Sequence, residues 1–169
     1  MHDEANPSLP LHLVLVQPQI PQNTGNVART CACTGAALHL VKPMGFEITD
    51  TKLKRAGLDY WDKLNLTYHD SLEVFLAVAP GPLVLFTTKA RRSYADISYP
   101  KGCCLVFGRE DAGLPETLLA AHPDACVRLP MRGSLRSLNL SNTVAVGAYE
   151  ALRQWGFPGL DTQRRAPLV

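Results

Sequence analysis

Side chains able to bind or activate a small molecule concentrate in three short stretches. The first is Gln17-Pro-Gln-Ile-Pro-Gln-Asn23-Thr-Gly-Asn-Val-Ala-Arg29. The second is Gly108-Arg-Glu110-Asp-Ala-Gly-Leu-Pro115, and the third is Arg132-Gly-Ser-Leu-Arg-Ser137-Leu-Asn139-Leu-Ser-Asn142. Together they supply amides, hydroxyls, arginines and a carboxylate, a set suited to holding a neutral or cationic small molecule beside a phosphate-bearing one. Several commoner chemistries fit poorly. Gly108 and Gly113 have the glycine spacing of a phosphate-binding loop, but Leu114-Pro115 stand where Lys and Ser/Thr would complete the nucleotide and metal site. No Gly-x-Gly-x-x-Gly follows the first apolar run, where Asn23-Thr-Gly-Asn stands instead. There is no Gly-x-Ser-x-Gly elbow, and the histidines are scattered at 2, 12, 39, 69 and 122. Cysteines at 31, 33, 103, 104 and 126 lack the paired spacing of a zinc site and read as reduced core residues. A triphosphatase, an ordinary dehydrogenase and a nucleophilic hydrolase are therefore disfavoured, and no metal is expected.

Each of the three stretches follows an apolar run. Leu11–Val16 reads as a strand feeding a turn-rich loop and then a small-residue helix that ends near Gly35. Further strands are expected at Leu38–Val41, Leu64–Tyr68, Leu83–Lys89, Cys103–Phe107 and Ala125–Leu129. Between them, Ser71 suits the cap of a helix running through Ala79, and Pro115 suits the first turn of a helix over Glu116–Ala121. Val144, Ala148, Ala151, Leu152 and Trp155 recur at helical spacing after the third stretch. Strands interleaved with helices predict an α/β fold, a mostly parallel sheet with helices on both faces. The polar stretches then fall at strand ends, where open α/β sheets bind ligands, and a single pocket built from all three is the simplest arrangement. A Ser/Asn-rich helix start such as 137–142 often serves only as a cap. Here the polar groups outnumber what one cap needs.

A length of 169 residues fits one domain over 11–159, with 1–10 expected to be a disordered leader and 160–169 a polar tail. The net charge of +2 is too small to signal nucleic-acid binding from totals. Local clusters could still do so, and two exist, Lys52-Leu-Lys-Arg55 and Lys89-Ala-Arg91-Arg92. No apolar run approaches the ~20 residues of a membrane helix, and the first residues lack a basic-then-apolar leader. The expectation is no membrane association and a cytoplasmic location.

Taken together, Asn23–Arg29, Leu105–Pro115 and Leu129–Asn142 resemble the three ordered signature motifs of the SPOUT RNA 2′-O-methyltransferases. The chain is most similar to the small single-domain tRNA (cytidine/uridine-34-2′-O)-methyltransferases, whose Pro-Met-Gly-Phe and Arg-Ala-Gly-Leu-Asp-Tyr segments are echoed at 43–46 and 55–60. The resemblance implies a trefoil knot near the C-terminus, a homodimer that completes the site, and S-adenosylmethionine as methyl donor with S-adenosylhomocysteine as product. It places the cofactor against Phe86, Thr87, Gly108, Glu110, Leu129 and Ser137. Catalysis would draw on Asn23, Arg29, Glu110, Ser137 and Asn139; independently of the resemblance, the two basic clusters bordering the sheet edge offer Arg55, Lys89, Arg91 and Arg92 as candidate RNA contacts. The substrate implied is the anticodon stem-loop of tRNA, methylated on the wobble ribose. The other readings are methylation of a different RNA and a non-catalytic RNA-binding or assembly protein with the same fold. Methyl transfer from a sulfonium is an in-line displacement, so positioning should dominate. A guanidinium is a permanent cation, and the role expected of Arg29 is to bind the adjacent phosphate and stabilise developing charge rather than to act as a base.

Overall fold

The computed structural model describes residues 10–49 and 60–163. The leader 1–9, the end of the tail from 164 and the basic residues Lys52, Lys54 and Arg55 lie outside the described residues. Six strands form one sheet: β1 (His12–Val16), β2 (Ala37–Val41), β3 (Leu66–His69), β4 (Leu83–Phe86), β5 (Cys104–Phe107) and β6 (Cys126–Val127). Their spatial order is β3-β2-β1-β5-β4-β6, and every pairing is parallel. The helices are α1 (Pro21–Thr34), α2 (Leu72–Val78), α3 (Glu116–Ala121) and α4 (Leu140–Gln154).

The central strands read as continuous apolar runs because both faces are covered. Leu13 and Leu15 of β1 share a core with Val27, Ala28 and Cys31 of α1 and with Val144, Ala148 and Leu152 of α4. Val14 and Val16 point the other way, into a second core with Phe75 of α2 and Leu118 of α3. The sheet is thus a middle layer with helices on both faces, as the alternation of elements requires.

The element boundaries differ from the sequence reading where distant partners decide them. Helix α1 begins at Pro21, so Asn23 and Thr24 lie in its first turn and are buried rather than sitting in a long loop. Proline at the helix start carries no N–H that needs a partner. At the other end Gly35 adopts φ +74°, and its N–H donates to the Cys31 carbonyl at 2.8 Å. Cys33 is exposed on the outer side of α1, unlike the four buried cysteines, because two residues along a helix turn it away from Cys31. Pro115 stands at the cap position before α3 instead of within its first turn. Strand β4 stops at Phe86, after which the Lys89 N–H turns back to the Thr87 hydroxyl at 3.2 Å. Strand β3 starts only at Leu66, since Leu64 closes a 3-10 turn over Trp61–Lys63. Strand β6 is only two residues long, because beyond Val127 the chain pairs with the β4–β5 connection, where Arg128 bridges Ser93. Ser71 does cap α2, accepting from the Val74 N–H at 3.2 Å.

Under α2, three histidines from adjacent strands join ring to ring. His12 Nδ1 lies 3.0 Å from His39 Nε2, and His39 Nδ1 lies 3.0 Å from His69 Nε2. Phe75 packs against both His39 and His69. Burial, reinforced by the charges of the flanking histidines, pushes His39 down to about 4. Because the folded state binds this proton less readily than the unfolded chain, stability is full above pH 6.5 and falls as pH drops toward 4. Wild-type protein is expected to lose on the order of 2 kcal/mol across this window in denaturant titrations. The His39→Gln variant should lose correspondingly less, and an equal loss would show that His39 does not carry the effect.

Candidate active site

Strand order reverses between β1 and β5, so the loops leaving their C-terminal ends diverge and open a crevice. A cavity of about 480 Å³ lies at this end of the sheet. It is lined from α1 by Asn23, from the end of β4 by Phe86, Thr87 and Lys89, and from the end of β5 by residues 107–114. The chain after β6 completes it with Leu129, Met131 and residues 136–140. All three polar stretches therefore meet in one place.

Glu110 ties two of these loops together. One carboxylate oxygen accepts from the Gln19 N–H at 2.8 Å, and the other accepts from the Ile20 N–H at 3.1 Å and the Asn23 side-chain amide at 3.1 Å. A negative group at this position also complements the dipole of α1. Asn23 in turn accepts through Oδ1 from the Asn139 amide at 3.1 Å. The Asn139 side-chain oxygen Oδ1 caps α4, accepting from the Ser141 N–H at 2.9 Å, the Asn142 N–H at 3.4 Å and the Ser141 hydroxyl at 2.7 Å. Asn26 closes the chain by donating to the Ser141 hydroxyl at 3.5 Å. Asn139 thus does serve as the helix cap, while its amide nitrogen reaches back into the cavity wall.

Two glycines allow the close packing beneath. A Cβ on Gly108 would lie 2.1 Å from the Gly113 carbonyl carbon, so only glycine permits the tight turn over 108–113. That turn is closed by a reciprocal backbone pair, Gly113 N–H to Arg109 O at 2.8 Å and Arg109 N–H to Gly113 O at 3.3 Å. Gly147 on α4 leaves room for the Phe86 ring, which stacks on Phe107 with centroids 4.6 Å apart. The β1–α1 loop is propped from outside by the segment 43–46, where the Gly45 N–H donates to the Pro18 carbonyl at 3.0 Å.

Phe86, Thr87, Gly108, Glu110, Leu129 and Ser137, the expected cofactor contacts, all line the cavity, as do Asn23 and Asn139. Arg29 does not. It stands six residues beyond Asn23, about 9 Å along α1 and on another side of the helix, exposed and stacked over the Tyr60 ring. Among the expected RNA contacts, Lys89 is at the cavity rim in an ion pair with Glu116, and Arg92 donates to the Asp124 carbonyl. Arg91 is exposed and enters none of the ion pairs among the described residues. Several participants escape sequence reasoning. Gln19 and Ile20 act through backbone N–H groups, and Asn26 extends the hydrogen-bond chain from Ser141. Ser141 itself is signalled by the crowding of Asn and Ser at 139–142. Arg136, Met131 and Thr143 also line the cavity.

The cavity fits S-adenosylmethionine in kind. Apolar side chains from Phe86, Leu114, Leu129 and Leu140 offer contact for a flat base, while Glu110 supplies the single carboxylate that is not already held by an arginine. The neighbouring Asp111 is held by Arg109 through two bonds of 2.9 Å. Among the described residues no group of three or more His, Cys, Asp or Glu could hold a metal ion, and no helix is long and apolar enough to cross a membrane.

Comparison with known proteins places this architecture. Residues 10–149 match the SpoU rRNA Methylase family. A tRNA (cytidine(34)-2′-O)-methyltransferase of Burkholderia ambifaria is 49% identical over 152 residues, covering 88% of this chain and 97% of the relative. A solved structure concerned with the 2-OH methylation of C/U34 on tRNA superposes with a TM-score of 0.80 at 49% identity, covering 86% of this chain and 96% of the other. The SpoU methyltransferase AviRb of Streptomyces viridochromogenes, in complex with the cofactor AdoMet, superposes with a TM-score of 0.75 at 25% identity, covering 88% of this chain and 58% of that one. With the motif loops assembled at one crevice and the match spanning most of its length, the chain belongs to the SpoU methylase family.

Proposed function

We propose that the protein transfers a methyl group from S-adenosylmethionine to the 2′-hydroxyl of the wobble ribose, position 34, of tRNA. The observation that carries this reading is the Glu110–Asn23–Asn139 chain of hydrogen bonds in the wall of the motif-lined cavity. It ties polar groups from the β5 loop, the start of α1 and the cap of α4 into one wall. The relatives named for cytidine-34 methylation support the choice of substrate.

When bound, S-adenosylmethionine supplies an electrophilic methyl carbon on a sulfonium. Everything else required is positioning, which can supply several kcal/mol of barrier reduction. Phe86, Thr87, Gly108, Leu129 and Ser137 hold the donor, and the negative charge of Glu110 favours a cation nearby. Asn139 donates one amide hydrogen to Asn23 and keeps a second for the ribose. Arg29 binds the phosphate next to the reacting ribose and stabilises charge as the hydroxyl passes its proton to that phosphate or to water. Lying outside the cavity of its own chain, Arg29 reaches the ribose across a homodimer. The exposed apolar residues Val146 and Tyr149 on α4, with Leu135 and Leu138 in the preceding loop, provide a surface for that contact. The same reading includes a C-terminal knot. In its support, the α4 end is bound to the β4–β5 connection, with Trp155 Nε1 donating to the Tyr99 carbonyl at 2.8 Å and Gln154 Nε2 to the Ile97 carbonyl at 2.9 Å. The compact domain working on the anticodon stem-loop in the cytoplasm completes the reading.

The direct test is a map of 2′-O-methylation across total tRNA from a strain lacking the protein. Loss confined to position 34, restored by the wild-type chain, is expected. Intact position-34 methylation with loss elsewhere would point to another RNA, and no change at all would point to a non-catalytic protein. A second expectation concerns RNA binding, which depends on phosphate contacts and therefore on salt. The Arg91→Glu/Arg92→Glu variant should bind tRNA at least about tenfold more weakly at 100 mM salt, with a salt dependence shallower by one to two ions. Unchanged affinity in filter-binding titrations would remove this cluster from the RNA interface.

A further inference from the structure

We propose that Tyr60 is a positioning residue for methyl transfer, its ring fixing the Arg29 guanidinium while leaving the N–H donors of that cation available to substrate. The inference rests on the reading that Arg29 acts on the substrate. The Arg29 guanidinium carbon lies 4.9 Å from the centroid of the Tyr60 ring, within the ~6 Å range of a cation–π contact.

The way Arg29 is held differs from that of Arg109 and Arg153. Arg109 and Arg153 each spend two N–H groups on one carboxylate, Asp111 and Glu150 respectively, with all four bonds at 2.9 Å. Such a pair uses up the fork that recognises phosphate and cancels the charge. Arg29 enters none of the ion pairs among the described residues. A ring face attracts the cation through its quadrupole and takes no N–H from it. An exposed arginine is otherwise rich in rotamers, and pinning it before substrate arrives lowers the entropy lost in reaching the reactive arrangement.

Tyr60 is suited to be the fixed partner. It is half-buried and packs against the core beneath α1 and α4. Its carbonyl accepts from the Lys63 N–H at 3.0 Å, locking its backbone to the 3-10 turn Trp61–Lys63. Nothing in the cavity itself needs Tyr60, because the ring does not line it. The contact through which it bears on substrate is the one with Arg29.

The test compares steady-state tRNA methylation by Arg29→Ala, Tyr60→Leu, Tyr60→Phe, Tyr60→Trp and the Arg29→Ala/Tyr60→Leu double variant. Leucine keeps an apolar side chain against the core but has no π face. Tyr60→Leu is expected to lower kcat about tenfold, with S-adenosylmethionine affinity and the unfolding midpoint unchanged. Phenylalanine and tryptophan should restore kcat to within about twofold, since both keep a ring face. In the Arg29→Ala background, Tyr60→Leu should cost nothing further. Wild-type kcat in Tyr60→Leu, failure of phenylalanine and tryptophan to rescue, or an undiminished loss in the Arg29→Ala background would each overturn the proposal. If Arg29→Ala alone leaves kcat intact, the catalytic role of Arg29 fails, and Tyr60 falls with it. If Arg29→Ala is inactive and Tyr60→Leu is normal, only the proposal for Tyr60 fails.

Discussion

Replacing Gly108 with alanine is expected to weaken S-adenosylmethionine binding by more than about 100-fold, because no rotamer can remove a Cβ. The added carbon would sit 2.1 Å from the Gly113 carbonyl carbon, 2.2 Å from the Leu114 nitrogen and 2.5 Å from the Gly113 oxygen. All three are backbone atoms, so relief requires opening the 108–113 turn itself. That turn cannot open locally. Gly113 holds φ +72°, and its N–H and carbonyl are both bonded to Arg109. Opening it moves Gly108 and Leu114 out of the cavity wall and pulls Glu110 from the β1–α1 loop. Gly133 provides the contrast, since a Cβ there meets nothing within 4 Å. Gly133→Ala should bind the cofactor as wild type does. Calorimetric titration of both variants checks the expectation, and wild-type affinity in Gly108→Ala would refute the tight-turn account.

The second large effect is expected from Glu110→Gln, a change that preserves shape. Both carboxylate oxygens are acceptors here, one for the Gln19 N–H and the other for the Ile20 N–H and the Asn23 amide. Glutamine offers one oxygen and one NH2, so whichever way it turns, donor faces donor. Leaving such groups unpaired costs about 1–3 kcal/mol. The activity loss should be larger, because Asn23 and through it Asn139 lose their anchor. A fall in kcat of about 100-fold is expected, comparable to losing a preorganised donor at the reacting centre. Near-normal turnover in Glu110→Gln would mean that the hydrogen-bond chain is structural ornament around the site rather than part of it.

Much of this architecture could be read from the chain alone, and the parts that could not share a cause. The runs Leu13–Val16 and Leu105–Phe107 announce strands buried on both faces, and the 144–155 spacing announces α4, because period and composition are local properties. The convergence of three polar stretches follows from placing them at strand ends. What stays hidden is the choice of partner. Glu110 bonds to a loop about 90 residues away, as the 87- to 91-residue separations of its three hydrogen bonds record. That distant carboxylate, together with Pro21, lets α1 start early. The three histidines looked scattered in sequence, yet parallel strands bring them into contact. The stacking of Arg29 on Tyr60, outside the cavity, has no local signature either. The strand expected over Ala125–Leu129 shortens to the two-residue β6 because Ala125 belongs to a 3-10 turn and Arg128 pairs with the β4–β5 connection.

The central claim is that this crevice delivers a methyl group to one hydroxyl. Single-turnover transfer from methyl-labelled S-adenosylmethionine, using paired tRNAs with either ribose or 2′-deoxyribose at position 34, tests it most directly. Label should appear as a 2′-O-methyl nucleoside at position 34 of the ribose tRNA and be absent from the deoxy tRNA. Equal labelling of both tRNAs, or label on a base, would contradict the account.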